Sequence, residues 1–352
     1  MPTALQLDYL PIDQLTSQSA SWWETVLGVV GFEKPPSIGQ ARVPVAASMT
    51  PALGSRSAVC EVWRVAGAHA QLSNGTVNDG GVSYRYCEDL LFGSLSIDEN
   101  LLERGQSAAL LNAIETAYDE IFRVLRQTEH RHLIRVWNYL PEINREADGD
   151  ERYRHFNAAR KAAFRNSGAP PLHSVPAACA LGTPAGSPIS IYFLAARRPP
   201  TMIENPRQMS AYHYPRQYGL NSPIFSRACV LGEALGTNLF VSGTASIVGH
   251  ETIHEGDVAA QTRETIANID ALLNETNRVM GSTRYALDGL KFKVYVREPE
   301  DLDAIAGTLS KALRPSTSVV YVRADVCREE LLVEIEATGE FGAHTVQGCG
   351  VA

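Results

Sequence analysis

The feature that most constrains the fold of this 352-residue chain is an internal repeat, in which one order of strands and helices is predicted twice. In the second copy the order β-α-β-α-β-β is predicted for residues 239–248, 257–281, 291–297, 299–314, 317–323 and 331–337. Its boundaries are well marked, because Asp257 is a good helix N-cap, Gly281 can end that helix and Pro299 suits the first turn of the next one. Apolar residues alternate along 291–297, which is typical of a half-buried strand.

The first half of the chain repeats this order, with elements predicted from 91 onwards and at 106–125, 133–139, 150–164, 175–181 and 189–196. Any pair of α/β domains shows some alternation, but the agreement of six elements in order favours a duplication. We therefore expect an α+β protein of two similar lobes, with domains at 1–205 and 206–352 and a functional site between them. Residues 1–85 are predicted to extend the first domain with irregular packing and one strand at 57–65, and the proline-rich stretch 199–206 to link the lobes.

Composition and charge exclude several classes of protein. Hydrophobic residues make up 45% and charged residues 20% of the chain, which predicts a globular protein and not a disordered one. The net charge of -8 argues against a general nucleic-acid binder. No apolar run is long enough to span a membrane, and no secretory signal is expected at the N-terminus. The six dispersed cysteines form no CxxC pair, so we expect free thiols and a cytoplasmic protein.

The segment from His250 to His254 reads HETIH and matches the HExxH motif of zinc proteases. In that motif both histidines lie on one face of a helix and bind the metal. Here glycines flank the motif at 249 and 256, and the next helix begins only at Asp257, so a hairpin loop is predicted instead. We expect no metal and no cofactor, because the sequence holds neither another credible ligand cluster nor a glycine-rich dinucleotide loop after a strand.

The strand predicted at 331–337 carries two carboxylates on one face. Glu334 and Glu336 are two residues apart, which places them about 6.5–7 Å apart on the same side of a strand. In a partly dry cleft one of two such groups keeps its proton near neutral pH, as a general acid requires. An ordinary solvated strand face is the alternative, but the first copy has Tyr192 near this position and no carboxylate, so the fold does not demand the pair.

Two basic segments could hold an anionic ligand, since arginine binds carboxylates bidentately and tyrosine donates a hydrogen bond. One segment, 210–227, follows the linker and contains Tyr212, Tyr214, Arg216, Tyr218 and Arg227. Its alternative role is aromatic packing. The other segment lies on the second helix of the first lobe, where only one or two of its arginines can face a cleft; it contains Arg152, Arg154 and Arg160.

The second copy resembles a domain of the YjgF/RidA type. The motifs that carry this resemblance are YGLNSPIFSRA at 218–228, LFVSGTASIVG at 239–249, GDVAAQTRETIANIDALL at 256–273 and LLVEIEA at 331–337. Small members of that superfamily place an arginine before the last pair of strands, where Val319 or a neighbour stands here. Imine hydrolysis, the activity of that superfamily, is therefore not the expected activity.

The whole chain is similar to the chorismatase family, through ERYRHFNAARKAAF at 151–164, YHYPRQYG at 212–219, FVSGTAS at 240–246 and CREELLVEIEA at 327–337. The resemblance implies a two-lobed single chain that binds chorismate between its lobes and uses a strand glutamate as its acid, a role that falls on Glu334. It also implies that Tyr214 and Arg216 contact carboxylates and that Gly243 and Cys327 set the product. Subtypes with Gly and Cys there form 3-hydroxybenzoate, whereas those with Ala and Val tend to hydrolyse chorismate.

The implied function is removal of pyruvate from chorismate to give 3-hydroxybenzoate. Cys327 would exclude water or relay a proton in this reaction, unless it is simply a buried thiol. Two alternatives stay open: a chorismate hydrolase that forms 3,4-dihydroxycyclohexa-1,5-diene carboxylate, and a non-catalytic RidA-like metabolite-binding protein. We expect a monomer or small homo-oligomer without a nucleic-acid or membrane partner. Further residues expected at the substrate are Glu336, Tyr212, Arg154 and Arg160.

Overall fold

The computed structural model describes residues 4–55, 57–66, 71–77, 81–99, 107–168, 175–232 and 237–341. The α-helices within these ranges are α1 (Ile12–Thr16), α2 (Ala20–Trp23), α3 (Ser107–Thr128), α4 (Arg152–Asn166), α5 (Val258–Met280) and α6 (Leu302–Ala312). The strands are β1 (Ala4–Pro11), β2 (Val26–Gly31), β3 (Val45–Ala47), β4 (Ala52–Leu53), β5 (Val59–Ala66), β6 (Ser73–Thr76), β7 (Ser83–Tyr86), β8 (Leu90–Ile97), β9 (His132–Pro141), β10 (Glu146–Ala147), β11 (Asp150–Glu151), β12 (Ala177–Thr183), β13 (Ile189–Ala196), β14 (Thr201–Ile203), β15 (Ala228–Leu231), β16 (Thr237–Thr244), β17 (Ile247–Val248), β18 (Glu251–Thr252), β19 (Leu290–Val296), β20 (Val319–Arg323) and β21 (Val333–Phe341). In the described ranges no helix is both long enough and apolar enough to cross a membrane.

Three large sheets organise these strands. The N-terminal sheet has the order β1-β5-β2-β3, the first-lobe sheet the order β12-β9-β13-β8-β7-β6, and the second-lobe sheet the order β14-β15-β16-β21-β19-β20-β4. Apart from the added edge strand β4, the two lobe sheets follow the same order, and each contains one parallel pair, β9 with β12 and β19 with β20. The duplicated β-α-β-α-β-β order predicted from the sequence is therefore confirmed.

The helices of each lobe cover one face of its sheet. Helices α3 and α4 share an apolar cluster with the first-lobe sheet, and α5 and α6 share another with the second-lobe sheet. Helix α5 has the ends expected from its sequence: the Asp257 side chain accepts a hydrogen bond from the Ala260 amide at 2.8 Å, and Gly281 closes the helix at a φ of 58°.

The opposite faces of the three sheets meet in a single core. Trp63 of the N-terminal sheet packs against Trp137 of the first lobe, with ring centroids 5.6 Å apart, and against Phe240 of the second lobe at 6.1 Å. The two lobes are also joined along their edges, where Ala177 forms a bridge with Ser226. The lobes are thus held in a fixed arrangement, which gives the space between them a defined shape.

Two predictions about the ends of the lobes were wrong. The strand predicted at 57–65 is present as β5. The rest of the N-terminal extension was predicted to pack irregularly, but β1, β2 and β3 join β5 in a four-stranded sheet. Of these, β3 has too few residues for alternation to be recognised. The predicted linker at 199–206 contains β14, which pairs with β15 at the edge of the second-lobe sheet. The domain boundary at 205/206 remains a prediction, although this pairing connects residues 201–203 to the second lobe.

Candidate active site

A cavity of about 420 Å³ lies between the two lobes, in the place predicted for the site. The first lobe provides its walls through α4, β9 and β12, and the second lobe through β16, β21 and the loop before β21. The segment 204–227, which contains two short 3₁₀ turns, covers one side. Polar and thiol residues that line the cavity include Asn138, Tyr153, Arg154, Asn157, Arg160, Cys179, Tyr214, Tyr218, Arg227, Cys327, Arg328, Glu329, Glu330 and Glu334.

Glu334, on β21, lines this cavity with only 5% of its surface exposed. No other described residue hydrogen-bonds to its carboxyl group. Burial disfavours the ionised form and Glu336 adds repulsion, and together they raise the pKa of Glu334 to about 8. At neutral pH this residue is therefore a protonated acid that faces an open space.

Gly243 makes room for that carboxyl group. A Cβ atom at this position would overlap the Oε1 atom of Glu334 and would lie 3.1 Å from the Cβ atom of Cys179. Any larger residue at 243 must therefore displace the acid or the opposite wall. The Glu334 carboxyl group can occupy its observed position only because residue 243 is a glycine.

The second carboxylate of the pair, Glu336, does not line the cavity and is held within the core between the sheets. It accepts hydrogen bonds from Arg135 at 2.5 Å, Trp137 at 2.8 Å, Lys293 at 2.9 Å and Tyr295 at 3.0 Å. Burial opposes its ionisation, but the charges of Lys293 and Arg135 outweigh burial and lower the pKa of Glu336 to about 2. It is a fixed negative charge, two residues along the strand from the cavity acid.

Lys293 connects this carboxylate to the N-terminal sheet. Its ammonium group lies 2.5 Å from Glu61 of β5 and also donates to the hydroxyl of Tyr192 at 3.0 Å. Glu61 is fully buried and accepts a further hydrogen bond from Trp63 at 2.6 Å. The charges that surround Glu336 thus come from all three sheets, and the buried set contains two acids and two bases.

Four polar residues on the cavity walls have a donor without a partner. Each residue lines the cavity, and the unpartnered atoms are Nδ2 of Asn157, Nη2 of Arg160, Nε of Arg227 and Nη2 of Arg328. We call this set the donor wall. A buried donor without an acceptor costs about 1–3 kcal/mol, and more when it is charged, so these atoms favour a ligand that brings acceptor oxygens.

Aromatic residues of the covering segment fix two of these arginines. Arg227 donates through Nη2 to the Met209 carbonyl at 2.6 Å and to the hydroxyl of Tyr214 at 2.8 Å. The Arg328 guanidinium lies 3.9 Å from the ring centroid of Tyr218. Both arginines are thereby held in one orientation before any ligand arrives.

The HExxH segment forms the hairpin β17–β18, as predicted, and not a helix. Its carbonyl at His250 accepts a hydrogen bond from Arg328 at 3.0 Å, as does the hydroxyl of Thr252 at the same distance. The hairpin therefore supports a member of the donor wall. Within the described ranges, no group of three or more His, Cys, Asp or Glu residues is arranged to hold a metal ion.

Cys327 lines the cavity next to the acid. Burial raises its pKa to about 12, with a further contribution from Glu334, so its sulfur remains a thiol at neutral pH. Cys179 lines the opposite side, and burial raises its pKa as well. Neither thiol is in a state to act as a nucleophile.

The structure brings together most of the residues predicted for the site. Those that line the cavity are Glu334, Cys327, Tyr214, Arg154, Arg160 and Gly243. Those that lie outside it are Arg216, Tyr212 and Glu336. The 3₁₀ turn Arg216–Tyr218 accounts for the first of these, because it presents Gln217 and Tyr218 to the cavity and leaves Arg216 exposed.

Two other expected residues have partners in the protein itself. Arg152, on the same helix as Arg154, forms an ion pair with Glu99 and donates to the Pro141 carbonyl, which is consistent with only some arginines of this helix facing the cleft. Arg154 lies at the mouth of the cavity, 3.1 Å from Asp150, so part of its charge is already neutralised.

Sequence reasoning selected neither Asn157 nor Arg328, and within the segment 210–227 it selected Arg216 and not Arg227 as a site residue. Arg227 lies in the same segment as Arg216 but is only 4% exposed, whereas Arg216 is on the surface. The sequence feature that distinguishes the two arginines is their position relative to a strand. Arg227 directly precedes β15, whose residues are all buried. Asn157 lies one helical turn before Arg160 on α4, at a spacing that places both on one face.

Comparisons with known proteins agree with this architecture. Residues 61–195 match the family model described as "Chorismatase FkbO/Hyg5-like, N-terminal", and residues 225–341 match the model "Endoribonuclease L-PSP". A 3-hydroxybenzoate synthase of Streptomyces hygroscopicus is 40% identical over 64% of this chain and 68% of its own length. A chorismatase of the same organism is 37% identical over 79% of this chain and 78% of its own length.

The similarity extends to three dimensions. A chorismatase crystal structure superposes with a TM-score of 0.83 at 31% identity, over 96% of this chain and 99% of the other. By sequence, a further chorismatase, from Streptomyces rapamycinicus, is 38% identical over 78% of this chain and 80% of its own length. On these grounds, and with the two lobes and the cavity between them, the chain belongs to the chorismatase family.

Proposed function

We propose that this protein is an enzyme that removes pyruvate from chorismate and forms 3-hydroxybenzoate. The observation that carries the proposal is the pairing, in one cavity, of a protonated glutamate with the four unpartnered donors of the donor wall. Chorismate presents two carboxylates and an acid-labile enol ether, so it needs both features. The names of the relatives described above, chorismatase and 3-hydroxybenzoate synthase, support the same substrate.

Glu334 is the proposed general acid. Its proton passes to the terminal methylene of the enolpyruvyl group, which becomes a methyl group and leaves an oxocarbenium ion. The ring C–O bond then breaks, pyruvate departs with the electron pair, and the adjacent ring hydroxyl bonds to the vacated carbon while its proton returns to the Glu334 carboxylate. Opening of the resulting epoxide with loss of a ring hydrogen, and protonation of its oxygen, gives 3-hydroxybenzoate, so the two products together contain the atoms of chorismate.

The donor wall is proposed to hold the substrate carboxylates. Arg160 and Arg227 approach the cavity from different lobes, so each can take one charged group or both can share one. In this assignment Arg227 replaces Arg216, which lies outside the cavity, and Tyr214 acts chiefly by holding Arg227. A charge-assisted hydrogen bond of this kind contributes about 1.5–3 kcal/mol to binding.

Gly243 and Cys327 are proposed to favour 3-hydroxybenzoate over the hydrolysis product. The open position at 243 lets Glu334 stand close to the substrate, and the neutral thiol of Cys327 fills the adjacent wall without strongly ordering a water molecule. Water attack on the oxocarbenium ion or ring would instead give 3,4-dihydroxycyclohexa-1,5-diene carboxylate. This choice of product separates the proposed activity from a chorismate hydrolase.

The test is incubation of the purified protein with chorismate, followed by measurement of pyruvate and chromatography of the aromatic product. Release of pyruvate with equimolar 3-hydroxybenzoate is expected. Binding of chorismate without pyruvate would instead indicate the metabolite-binding alternative, and pyruvate with the diene diol would indicate the hydrolase. The Glu334→Gln variant is the matched control for contaminating activity, because it retains the cavity and lacks the proposed acid.

We also propose that the enzyme acts in the cytoplasm as a monomer or small homo-oligomer, without a nucleic-acid partner. The five cysteines within the described ranges are unpaired, which supports a reducing compartment. The lobes already enclose the cavity within one chain, so no second copy is needed to complete it. Light scattering of the purified protein would check the oligomeric state.

A further inference from the structure

A tyrosine behind the cavity wall links two of the residues that line it. Tyr118, on α3, is fully buried and does not line the cavity. Its hydroxyl donates to Oδ1 of Asn138 at 2.6 Å and accepts from Nε of Arg160 at 2.7 Å. The Nδ2 group of Asn138 donates to the Cys179 carbonyl at 2.8 Å. The donor and acceptor of each hydrogen bond in this series of side chains are therefore determined.

The remaining contacts of Arg160 leave one nitrogen for a ligand. Its guanidinium carbon lies 5.4 Å from the ring centroid of Tyr118 and 5.0 Å from that of Phe164, and Nη1 donates to the Ile224 carbonyl at 2.5 Å. Nη2 is buried and unpartnered beside the cavity. Because Nε and Nη1 are both occupied, the plane of the guanidinium and the direction of Nη2 are fixed.

The second lobe shows that the fold does not require this polar chain. Helix α5 is the counterpart of α3 in the duplicated order, and its residues in the apolar cluster of the second lobe include Ile269, Leu272 and Leu273. No residue of α5 is a tyrosine, so the duplicated helix packs on its sheet without an equivalent of Tyr118. Likewise, the residues of β19 that belong to this cluster are all apolar: Leu290, Phe292, Val294 and Val296.

We propose that Tyr118 is a positioning residue for substrate recognition, which directs Nη2 of Arg160 into the cavity and holds the Asn138 amide in place. This inference rests on the proposed function and adds to it a residue on the far side of the wall. Burial raises the pKa of Tyr118, so its hydroxyl keeps the proton that it donates to Asn138.

The Tyr118→Phe variant tests the proposal, because phenylalanine retains the ring beneath Arg160 and removes only the hydroxyl. Nε of Arg160 then loses its acceptor, and the guanidinium gains freedom to turn towards other partners. We expect the KM for chorismate to rise about tenfold or more, as for the loss of a hydrogen bond to a charged group. We expect kcat to change by less than about threefold, because the acid on β21 is untouched.

A double-mutant cycle separates this role from general loss of packing. Lysine at 160 keeps the charge but has no Nε–H group for the tyrosine, so adding Tyr118→Phe to Arg160→Lys should raise KM by less than about twofold. The matched control is Tyr285→Phe, which removes a buried hydroxyl that accepts from Arg284 at 3.2 Å and lies away from the cavity. That control should leave KM unchanged.

The proposal is overturned if Tyr118→Phe has a KM within twofold of the wild type, or if its effect persists undiminished in the Arg160→Lys background. Calorimetric titration of chorismate into Glu334→Gln protein, with and without Tyr118→Phe, gives the same comparison without turnover. If the wild-type protein releases no pyruvate, the proposed function fails, but a weaker titration with Tyr118→Phe still supports the positioning role. Equal affinities in that titration reject it.

Discussion

Replacing Glu334 by glutamine is the most direct test of the chemistry, because the two side chains have the same shape but only the carboxylic acid can deliver a proton. General acid catalysis typically contributes about 10²–10⁴-fold to a rate. We therefore expect kcat to fall by at least a hundredfold while KM stays within about threefold. The change is mild for the folded structure, since the raised pKa of Glu334 already keeps this position uncharged at neutral pH.

The raised pKa of Glu334 shows how strongly the cavity increases the fraction of this residue that is protonated. With its pKa raised from 4.5 to about 8, Glu334 is about nine tenths protonated at pH 7, whereas an ordinary glutamate would be only about 0.3% protonated. The cavity therefore increases the amount of active acid about 300-fold at that pH. The wild-type rate should fall tenfold per pH unit above about pH 8, and this decline should be absent from the residual rate of Glu334→Gln.

Pyruvate release coupled to lactate dehydrogenase gives both kcat and its pH profile in one assay. Glu329→Gln is a matched control, because Glu329 is an exposed carboxylate at the mouth of the same cavity and should leave the profile unchanged. A Glu334→Gln enzyme with more than a tenth of wild-type turnover, or with the same alkaline decline, would falsify the assignment of the acid.

The stability of the same variant provides an independent check with a defined sign. A carboxyl group whose pKa is raised from 4.5 to about 8 on folding stabilises the protein below pH 4.5, and that contribution is lost as the pH rises through 8. Glu334→Gln removes this pH dependence. We expect the variant to unfold at a higher denaturant concentration than the wild type at pH 9; a lower midpoint would contradict the raised pKa.

Four further predictions concern the rest of the site. Arg227→Ala should raise KM for chorismate about tenfold or more, whereas Arg216→Ala should leave it within twofold, and steady-state kinetics of the pair decides between them. Gly243→Ala combined with Cys327→Val should shift the product towards the diene diol, and an unchanged product ratio on chromatography would show that the product is selected elsewhere. Glu336→Gln should lower the free energy of unfolding by about 3–5 kcal/mol, because the buried bases Lys293 and Arg135 lose a shared partner, and denaturant titration measures this loss. The same change removes the repulsion that raises the pKa of Glu334, so the alkaline decline in the pH profile of the rate should move to lower pH. Treatment with a chelator should leave the rate unchanged, and zinc-restorable inhibition would refute this.

Patterns over a few neighbouring residues correctly predicted the secondary structure that such residues determine. The repeated element order, the capping of α5 and the hairpin at the HExxH segment all follow from spacing, glycines and capping residues, and all agree with the structure. The paired glutamates of β21 were also predicted, because strand geometry alone places them on one face. Their separation into one acid and one fixed charge depends on tertiary partners, which no local pattern contains.

The choice of Arg216 instead of Arg227 and the failure to predict most N-terminal strands were errors of the same kind, because both features depend on tertiary contacts. Arg216 and Arg227 belong to one irregular segment, where no helical or strand period tells which side chain turns inward. The turn at Arg216–Tyr218 and the start of β15 determine which arginine is buried, and β15 is held in place by its pairing with β14 and β16. Among the N-terminal strands, β5 was predicted, but β2 was missed for a related reason. It pairs with β5 across a long intervening segment, and its residues are buried on both faces, which removes the alternation that marks a strand.

The contact between Glu61 and Lys293 has a consequence for how such a chain can be divided. A protein shortened to the two lobes would lose the carboxylate that shares Lys293 with Glu336, and would expose to water the aromatic core face that the N-terminal sheet now covers. The electrostatic setting of the acid would change even though every cavity-lining residue remained. The two lobes therefore cannot be treated as a portable catalytic unit: grafting, truncation or exchange of lobes between relatives must carry the N-terminal sheet along, or supply a new counter-charge for Lys293.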